Sequence, residues 1–162
     1  MSLRFSYGKL SFEQVRRFLM ETDKEFPTPL SAHIDIDVYA KKLSEFSDFA
    51  VCWDGDDVIG MISCYMNRPP IGYMSNACIK KQYQAQKVFS KLFHQLLINA
   101  KERGVLRFQL EVDAINYNAR RIYEHYGFRE LSVNAETRKS LMELNLTESV
   151  QDTHSHRKNS KK

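Results

Sequence analysis

The chain has no long apolar run and no segment typical of a targeting signal. No stretch approaches the roughly 20 consecutive apolar residues that a membrane-spanning helix needs. The first residues also lack the charged and apolar regions of a secretory signal peptide. The sequence therefore predicts a cytoplasmic protein with no membrane partner.

The cysteines do not form a disulfide or zinc pattern. Cys52, Cys64 and Cys78 are odd in number, and no two of them form a C-x-x-C pair. Each lies in a predicted strand, where a reduced thiol behaves as a small apolar side chain. The Asp54–Asp57 stretch lacks the further ligands of an EF-hand loop, so it is interpreted as a hairpin turn. We expect no metal site.

Charge is concentrated near the end of the chain. The net charge is +4, but four basic residues lie within the last six positions, at 157, 158, 161 and 162. The rest of the chain is close to neutral, so composition favours no nucleic-acid partner. The length of 162 residues favours one domain. We predict an ordered domain over residues 1–146 and a disordered basic tail over residues 147–162.

Apolar periodicity predicts the element order β, α, α, β, β, β, α, β, α, β, β. Period-two segments indicate strands, and stripes spaced by three and four residues indicate helices. The predicted helices begin after Ser11, at about Asp35, at Val88 and at Ile115. This mixture of hairpins and strand–helix units favours an α/β (α+β) fold. We expect a mixed, mostly antiparallel sheet of six to seven strands, flanked by about four helices.

A basic, polar turn connects the strand ending at Ile79 to the helix beginning at Val88. The turn contains Lys80, Lys81 and Lys87. The first N–H groups of a helix have no partner within it, and the helix dipole favours negative charge there. The turn is a candidate anion site, although an ordinary strand–helix connection has the same composition.

A second pattern runs from Leu110 to Phe128. Asn116 lies near the start of the predicted helix, and Tyr123 lies two turns later on the same face. Ala119, Ile122 and Tyr126 are predicted to pack in the core, and Tyr123 could do so too. Gly127 ends the helix.

These two stretches resemble the GNAT superfamily of acyl-CoA-dependent N-acetyltransferases. The family spacing N-x-x-A-x-x-x-Y-x-x-x-G-F is present from Asn116 to Phe128, and Tyr73–Ile79 resembles the family's fourth strand. The resemblance extends from about residue 3 to residue 146. It implies transfer of an acetyl group from acetyl-CoA to a primary amine by direct attack in a ternary complex. The expected acceptor is a small-molecule amine, such as an amino sugar or amino acid, or a protein.

The resemblance also assigns residue roles. Tyr123 would act as the acid toward the departing thiolate, and Asn116 would orient the site or contact the pantetheine arm. Acetyl-CoA would lie between the strand ending at Ile79 and the strand over residues 106–112. The implied cofactor-binding residues are Ala77, Cys78, Ile79, Gln84, Ala85, Gln86, Lys87, Val88, Phe89, Ser90, Asn116 and Tyr123.

The pyrophosphate loop departs from the family pattern Q/R-x-x-G-x-G/A. Gln84 matches, but Lys87 and Phe89 stand where the family usually has glycine. Glycine lets main-chain N–H groups approach a phosphate without interference from Cβ. Two outcomes follow. Either coenzyme A binds in a shifted pose or with lower affinity, or the chain is a non-catalytic binding or regulatory module.

The acceptor side of the site is less defined by sequence. The segment from Phe26 to Ile34 is aromatic and proline-stiffened, and it contains His33. It could form one wall of a cleft, as could residues 134–139, or it could be a plain surface loop. Glu111 is a candidate base or a surface carboxylate. We therefore assign Phe26, His33 and Glu111 to acceptor binding. The chain could be a monomer or a homodimer.

Overall fold

The computed structural model describes residues 2–26 and 28–147, and the predicted tail beyond Thr147 lies outside the described residues. Strands and helices follow the predicted order. The strands are β1 (Leu3–Gly8), β2 (Asp48–Asp54), β3 (Asp57–Tyr65), β4 (Ile71–Ile79), β5 (Arg107–Asp113), β6 (Arg129–Val133) and β7 (Lys139–Asn145). The helices are α1 (Phe12–Thr22), α2 (Ile36–Phe46), α3 (Val88–Glu102) and α4 (Tyr117–His125). Short 3-10 turns span Asp23–Glu25, Leu30–Ala32 and Lys81–Gln86.

The seven strands form one mixed sheet, in the order β1-β2-β3-β4-β5-β7-β6. Every neighbouring pair is antiparallel except β4 and β5, which run parallel. The mostly antiparallel α+β architecture predicted from sequence is thus confirmed. The parallel pair is short, because its register covers only residues 71–73 of β4 and 107–109 of β5. Beyond those residues the two strands show no further pairing in the described chain.

Strand alternation divides the interior into two cores. Successive side chains of β2 point to opposite faces of the sheet. Ala50 and Cys52 pack with α3, β5 and β7, whereas Phe49 and Val51 pack with α1 and α2. The sheet therefore lies between a layer that contains α3 and a layer formed by α1 and α2.

Side-chain caps fix the starts of three helices. Ser11 and Gln14 form a capping box at α1, and the Asp35 carboxylate accepts the Val38 N–H at α2. The Asn116 side chain accepts the Ala119 N–H at α4, with an oxygen–nitrogen distance of 3.2 Å. A capping acceptor satisfies one of the unpaired N–H groups of the first turn. By contrast, Lys87 is the N-cap residue of α3, and its side chain makes no capping hydrogen bond.

Two burial predictions are wrong. Ile122, predicted to pack in the core, is 47% exposed, because it faces an open groove. Cys78, predicted to be a buried thiol, is only partly buried, whereas Cys52 and Cys64 are buried as expected. Within the described residues, no helix is long and apolar enough to cross a bilayer.

Candidate active site

The divergence of β4 from β5 opens two adjoining cavities. The first, here called the inner cavity, has a volume of about 190 Å³ and lies against the segment between α1 and α2. The second, here called the groove, has a volume of about 710 Å³ and lies between the start of α3 and α4. The residues that line both are Phe26, Ala77, Asn116, Ala119 and Tyr123.

A β-bulge lies in β4 where it borders the inner cavity. Ser63 pairs with Asn76 and Cys64 pairs with Met74, so Ser75 is the extra residue. The Tyr39 hydroxyl donates to the Ser75 carbonyl at 2.8 Å, and the Ser63 and Ser75 hydroxyls are 2.8 Å apart. A bulge redirects the strand and leaves its extra residue outside the ladder. These bonds hold the β4 main chain in place at the wall of the cavity.

Tyr123 stands where the two cavities meet. Its ring packs edge-on against Phe89 and Phe128, with centroid distances of 6.3 and 5.6 Å. Burial, together with the nearby Cys78 thiol, raises the pKa of Tyr123 to about 12. The phenol is therefore fully protonated at neutral pH and can serve as a hydrogen-bond donor.

Asn116 lines both cavities, but its side-chain oxygen is already engaged in capping α4. Asn116 therefore fixes the start of the helix that carries Tyr123. The sequence spacing predicted that these two residues share a site, and the structure places both on the common wall.

At position 87, where the family usually has glycine, Lys87 adopts a backbone conformation typical of glycine. Lys87 has φ 58° and ψ 25°, the left-handed conformation that glycine adopts most easily. The ring of Phe89 stacks on Phe93 at 5.9 Å and packs against Tyr126 at 5.4 Å, so it forms part of the groove wall.

Most of the predicted cofactor residues line the groove. These are Ala77, Cys78, Ile79, Gln84, Lys87, Phe89, Ser90, Asn116 and Tyr123. Gln84 also donates its side-chain amide to the Ile79 carbonyl at 2.9 Å, which ties the turn to the end of β4. The side chains of Ala85 and Val88 are not part of this lining, because Ala85 points to solvent elsewhere and Val88 is completely buried in the core, so their predicted contacts would have to use main-chain N–H groups. The Gln86 side chain is outside the described atoms.

All three predicted acceptor residues, Phe26, His33 and Glu111, line the inner cavity. Glu111 accepts a hydrogen bond from the Tyr73 hydroxyl at 3.2 Å. Burial and the adjacent Glu111 carboxylate raise the pKa of Tyr73. Of the second segment proposed as a cleft wall, residues 134–139, only its last residue, Lys139, is part of the lining.

Sequence reasoning missed several lining residues. Asp113 follows Glu111 by two positions, so strand alternation could have placed both carboxylates on one face. The Tyr73–Glu111 pair joins two strands that are distant in sequence, and no local pattern predicts it. Among the described residues, no group of three or more His, Cys, Asp or Glu side chains could hold a metal ion.

A family model described as an acetyltransferase (GNAT) domain matches residues 18–142. The chain belongs to the GNAT acetyltransferase family. N-alpha-acetyltransferase 30 from Schizosaccharomyces pombe is 29% identical over 110 residues, which cover 65% of this chain and 71% of that protein.

Solved GNAT structures share the fold. One is a GNAT-family acetyltransferase from Desulfovibrio desulfuricans, with a TM-score of 0.73, 18% identity and coverage of 90% of this chain and 99% of that one. Another is the PaiA N-acetyltransferase from Thermoplasma acidophilum in complex with coenzyme A, with a TM-score of 0.68, 16% identity and coverage of 90% and 99%.

Family membership makes this GNAT protein an acetyl-CoA-dependent N-acetyltransferase. The groove suits the long, partly apolar form of that co-substrate, because it combines apolar walls at Phe89, Ile122 and Tyr126 with a helix start and the cationic Lys87. The absence of glycine at positions 87 and 89 therefore changes how the loop is built without closing the groove.

Proposed function

We propose that this GNAT protein acetylates a primary amine by direct attack on acetyl-CoA in a ternary complex. The observation that carries the proposal is the split between β4 and β5, which opens a groove and an inner cavity that meet at Tyr123. Two reactants can thus approach one phenol from opposite sides. Holding them together in this way removes most of the entropic barrier of a two-molecule reaction.

The groove is proposed to bind the co-substrate. When bound, acetyl-CoA supplies the acetyl group as an activated thioester. The side chains of Ala77, Cys78 and Ile79 line the groove where β4 lacks a parallel partner. Main-chain groups of an unpaired strand need hydrogen-bond partners, and the amides of a pantetheine arm can supply them. Main-chain N–H groups over residues 84–90 would face the phosphates, including those of Ala85, Gln86 and Val88.

Tyr123 is proposed to donate a hydrogen bond to the departing sulfur. Its pKa of about 12 lies well above the ordinary thiol value of about 8.5. Because of that difference, the phenol keeps its proton and stabilises the developing negative charge by donation. Preorganised donors of this kind lower the barrier because they need no reorientation during the reaction.

Glu111 is proposed to accept the proton of the acceptor amine, directly or through water. It lines the inner cavity and is oriented by the Tyr73 hydroxyl. An exposed carboxylate at the cavity wall can also attract an ammonium group before it loses its proton. Phe26 and His33 on the opposite wall would contact the rest of the acceptor.

The acceptor is proposed to be a small amine or the amine of a protein. The inner cavity, of about 190 Å³, holds only a compact group, so a larger acceptor must extend out of it. The name of the Schizosaccharomyces pombe relative, N-alpha-acetyltransferase 30, favours an α-amine among these candidates.

The test is a thiol-release assay with acetyl-CoA and a panel of peptides, amino acids and amino sugars. We expect turnover with at least one class and none without amine. Binding is measured in parallel by thermal unfolding, because acetyl-CoA at a hundredfold excess over Kd should stabilise the fold by about 2.7 kcal/mol. Absence of both stabilisation and thiol release would refute the proposal.

A further inference from the structure

The pairing of β4 with β3 determines which main-chain groups of β4 face the split. The Lys80 N–H donates to the Ile59 carbonyl of β3 at 2.8 Å, so Lys80 bonds toward β3. In an antiparallel ladder, pairs that exchange hydrogen bonds alternate with pairs that exchange none. Counting back two residues at a time in the observed register, Cys78 and then Asn76 also bond toward β3.

The residues that alternate with these present their N–H and C=O groups at the other edge of β4, toward β5. They are Ala77 and Ile79. One side-chain bond agrees with this assignment, because Gln84 donates to the Ile79 carbonyl at 2.9 Å. Ala77 lines both cavities, as Tyr123 does. The Ala77 N–H is therefore a main-chain donor at the junction where the two reactants are proposed to meet.

The bulge at Ser75 decides that Ala77 takes this position. An extra residue in one strand shifts the alternation of every residue that follows it. If β4 lost the bulge, the strand past it would slip by one residue against β3. Ala77 would then bond toward β3, and Asn76 and Cys78 would face the split instead.

The Tyr39 hydroxyl of α2 secures the extra residue. It donates to the Ser75 carbonyl at 2.8 Å, and a bulge leaves its extra residue outside the ladder. The hydroxyl of the completely buried Ser63 adds a second contact, 2.8 Å from the Ser75 hydroxyl. Tyr39 is not among the residues that line either cavity. Any effect of Tyr39 on catalysis must therefore pass through Ser75.

We infer that Tyr39 is a positioning residue for acetyl transfer. By holding the Ser75 carbonyl, it keeps the bulge in place and the Ala77 N–H at the junction of the two cavities. This inference rests on the proposed function, which brings the reacting carbonyl to that junction. A donor fixed there lowers the barrier to attack on a carbonyl, because it needs no reorientation during the reaction.

The first measurement is amide hydrogen exchange in the unliganded protein, for wild type and Tyr39→Phe. In wild type, the amides of residues 76 and 78 should exchange more slowly than the Ala77 amide, because only the former bond to β3. Without the Tyr39 hydroxyl we expect this contrast to shrink about tenfold, the usual effect of losing one hydrogen bond. An unchanged contrast would overturn the inference.

The second measurement is thiol release with the best acceptor amine. Tyr39→Phe should lower kcat about 10- to 100-fold at unchanged KM for acetyl-CoA and for the amine, because a misplacement of about 1 Å has an effect of this order. Tyr7→Phe is the matched control. It removes a tyrosine hydroxyl that donates to Asp48 at 3.2 Å, on the edge strand β1 at the far side of β2 and β3 from β4. The control should keep the wild-type kcat.

Ser63→Ala removes the other contact to Ser75 and keeps the test open if Tyr39→Phe does not fold. It should lower kcat less than Tyr39→Phe does, again at unchanged KM. A kcat within twofold of wild type in both variants would overturn the inference, as would an effect on the KM for the amine alone or an equal loss of kcat in Tyr7→Phe. If wild type releases no thiol with any amine, the proposed function fails, whereas the exchange contrast still shows whether Tyr39 holds the bulge.

Discussion

Replacing Lys87 by glycine should stabilise the fold. Lys87 holds a left-handed backbone conformation, which costs a residue with a Cβ about 1–2 kcal/mol. Glycine adopts this conformation without that cost, but its greater freedom in the unfolded chain removes about 0.5–1 kcal/mol of the gain. The expected net gain in the free energy of unfolding is about 1 kcal/mol. For a chain of 162 residues this raises the melting temperature by about 2–4 °C.

The matched control is Lys87→Ala. Alanine removes the same charge but keeps a Cβ, so it retains the backbone strain. Because the Lys87 side chain is exposed, we expect the alanine variant to lie within about 0.5 kcal/mol of wild type. Urea unfolding of the three unliganded proteins measures the difference between glycine and alanine directly. Equal unfolding midpoints for the two variants would refute the reasoning, because residue 87 would then carry no left-handed strain.

Three further predictions concern the site and the sheet. The pKa of Tyr123 rises from about 10 to about 12 on folding. The contribution of the protonated phenol to the free energy of unfolding is therefore complete below pH 10, and about 2 kcal/mol of it is lost as pH rises toward 12. Urea unfolding should show this loss in wild type relative to Tyr123→Phe, and parallel pH curves for the two proteins would contradict it. Glu111→Gln should lower kcat about 10- to 100-fold, and adding Tyr73→Phe should lower it little further, whereas independent, additive losses would show that the two side chains do not act together. Gly72→Ala should destabilise the fold by about 1–3 kcal/mol, since its Cβ would lie 2.6 Å from the Phe108 ring. Adding the second substitution Phe108→Leu should restore part of the lost stability. An unchanged urea midpoint for Gly72→Ala would exclude the clash.

Periodicity in the sequence was sufficient to predict the element order. The alternation in β2, where Ala50 and Cys52 face one core and Phe49 and Val51 the other, is visible in the chain itself. What periodicity cannot show is whether an apolar stripe is covered. Ile122 continues the stripe of α4, yet the surface opposite it is an open groove.

The candidate site was predictable in part. The seven-residue spacing from Asn116 to Tyr123 places both on one face of a helix, and both line the cavities. The Ser75 bulge, the left-handed conformation of Lys87 and the hydrogen bond from Tyr73 depend on pairing and packing across the sheet. No local pattern encodes them, because a lysine or a serine at those positions is compatible with ordinary turn and strand geometry.

The three-residue ladder between β4 and β5 has a mechanical consequence. It is the one strand pairing that connects strands β1–β4 to strands β5–β7 within the described sheet. A ligand that forms hydrogen bonds with the free edge of β4 past residue 73 would act as an additional short strand and connect the two groups of strands. Occupancy should then slow amide hydrogen exchange over residues 74–79, the part of β4 that lies past the ladder with β5.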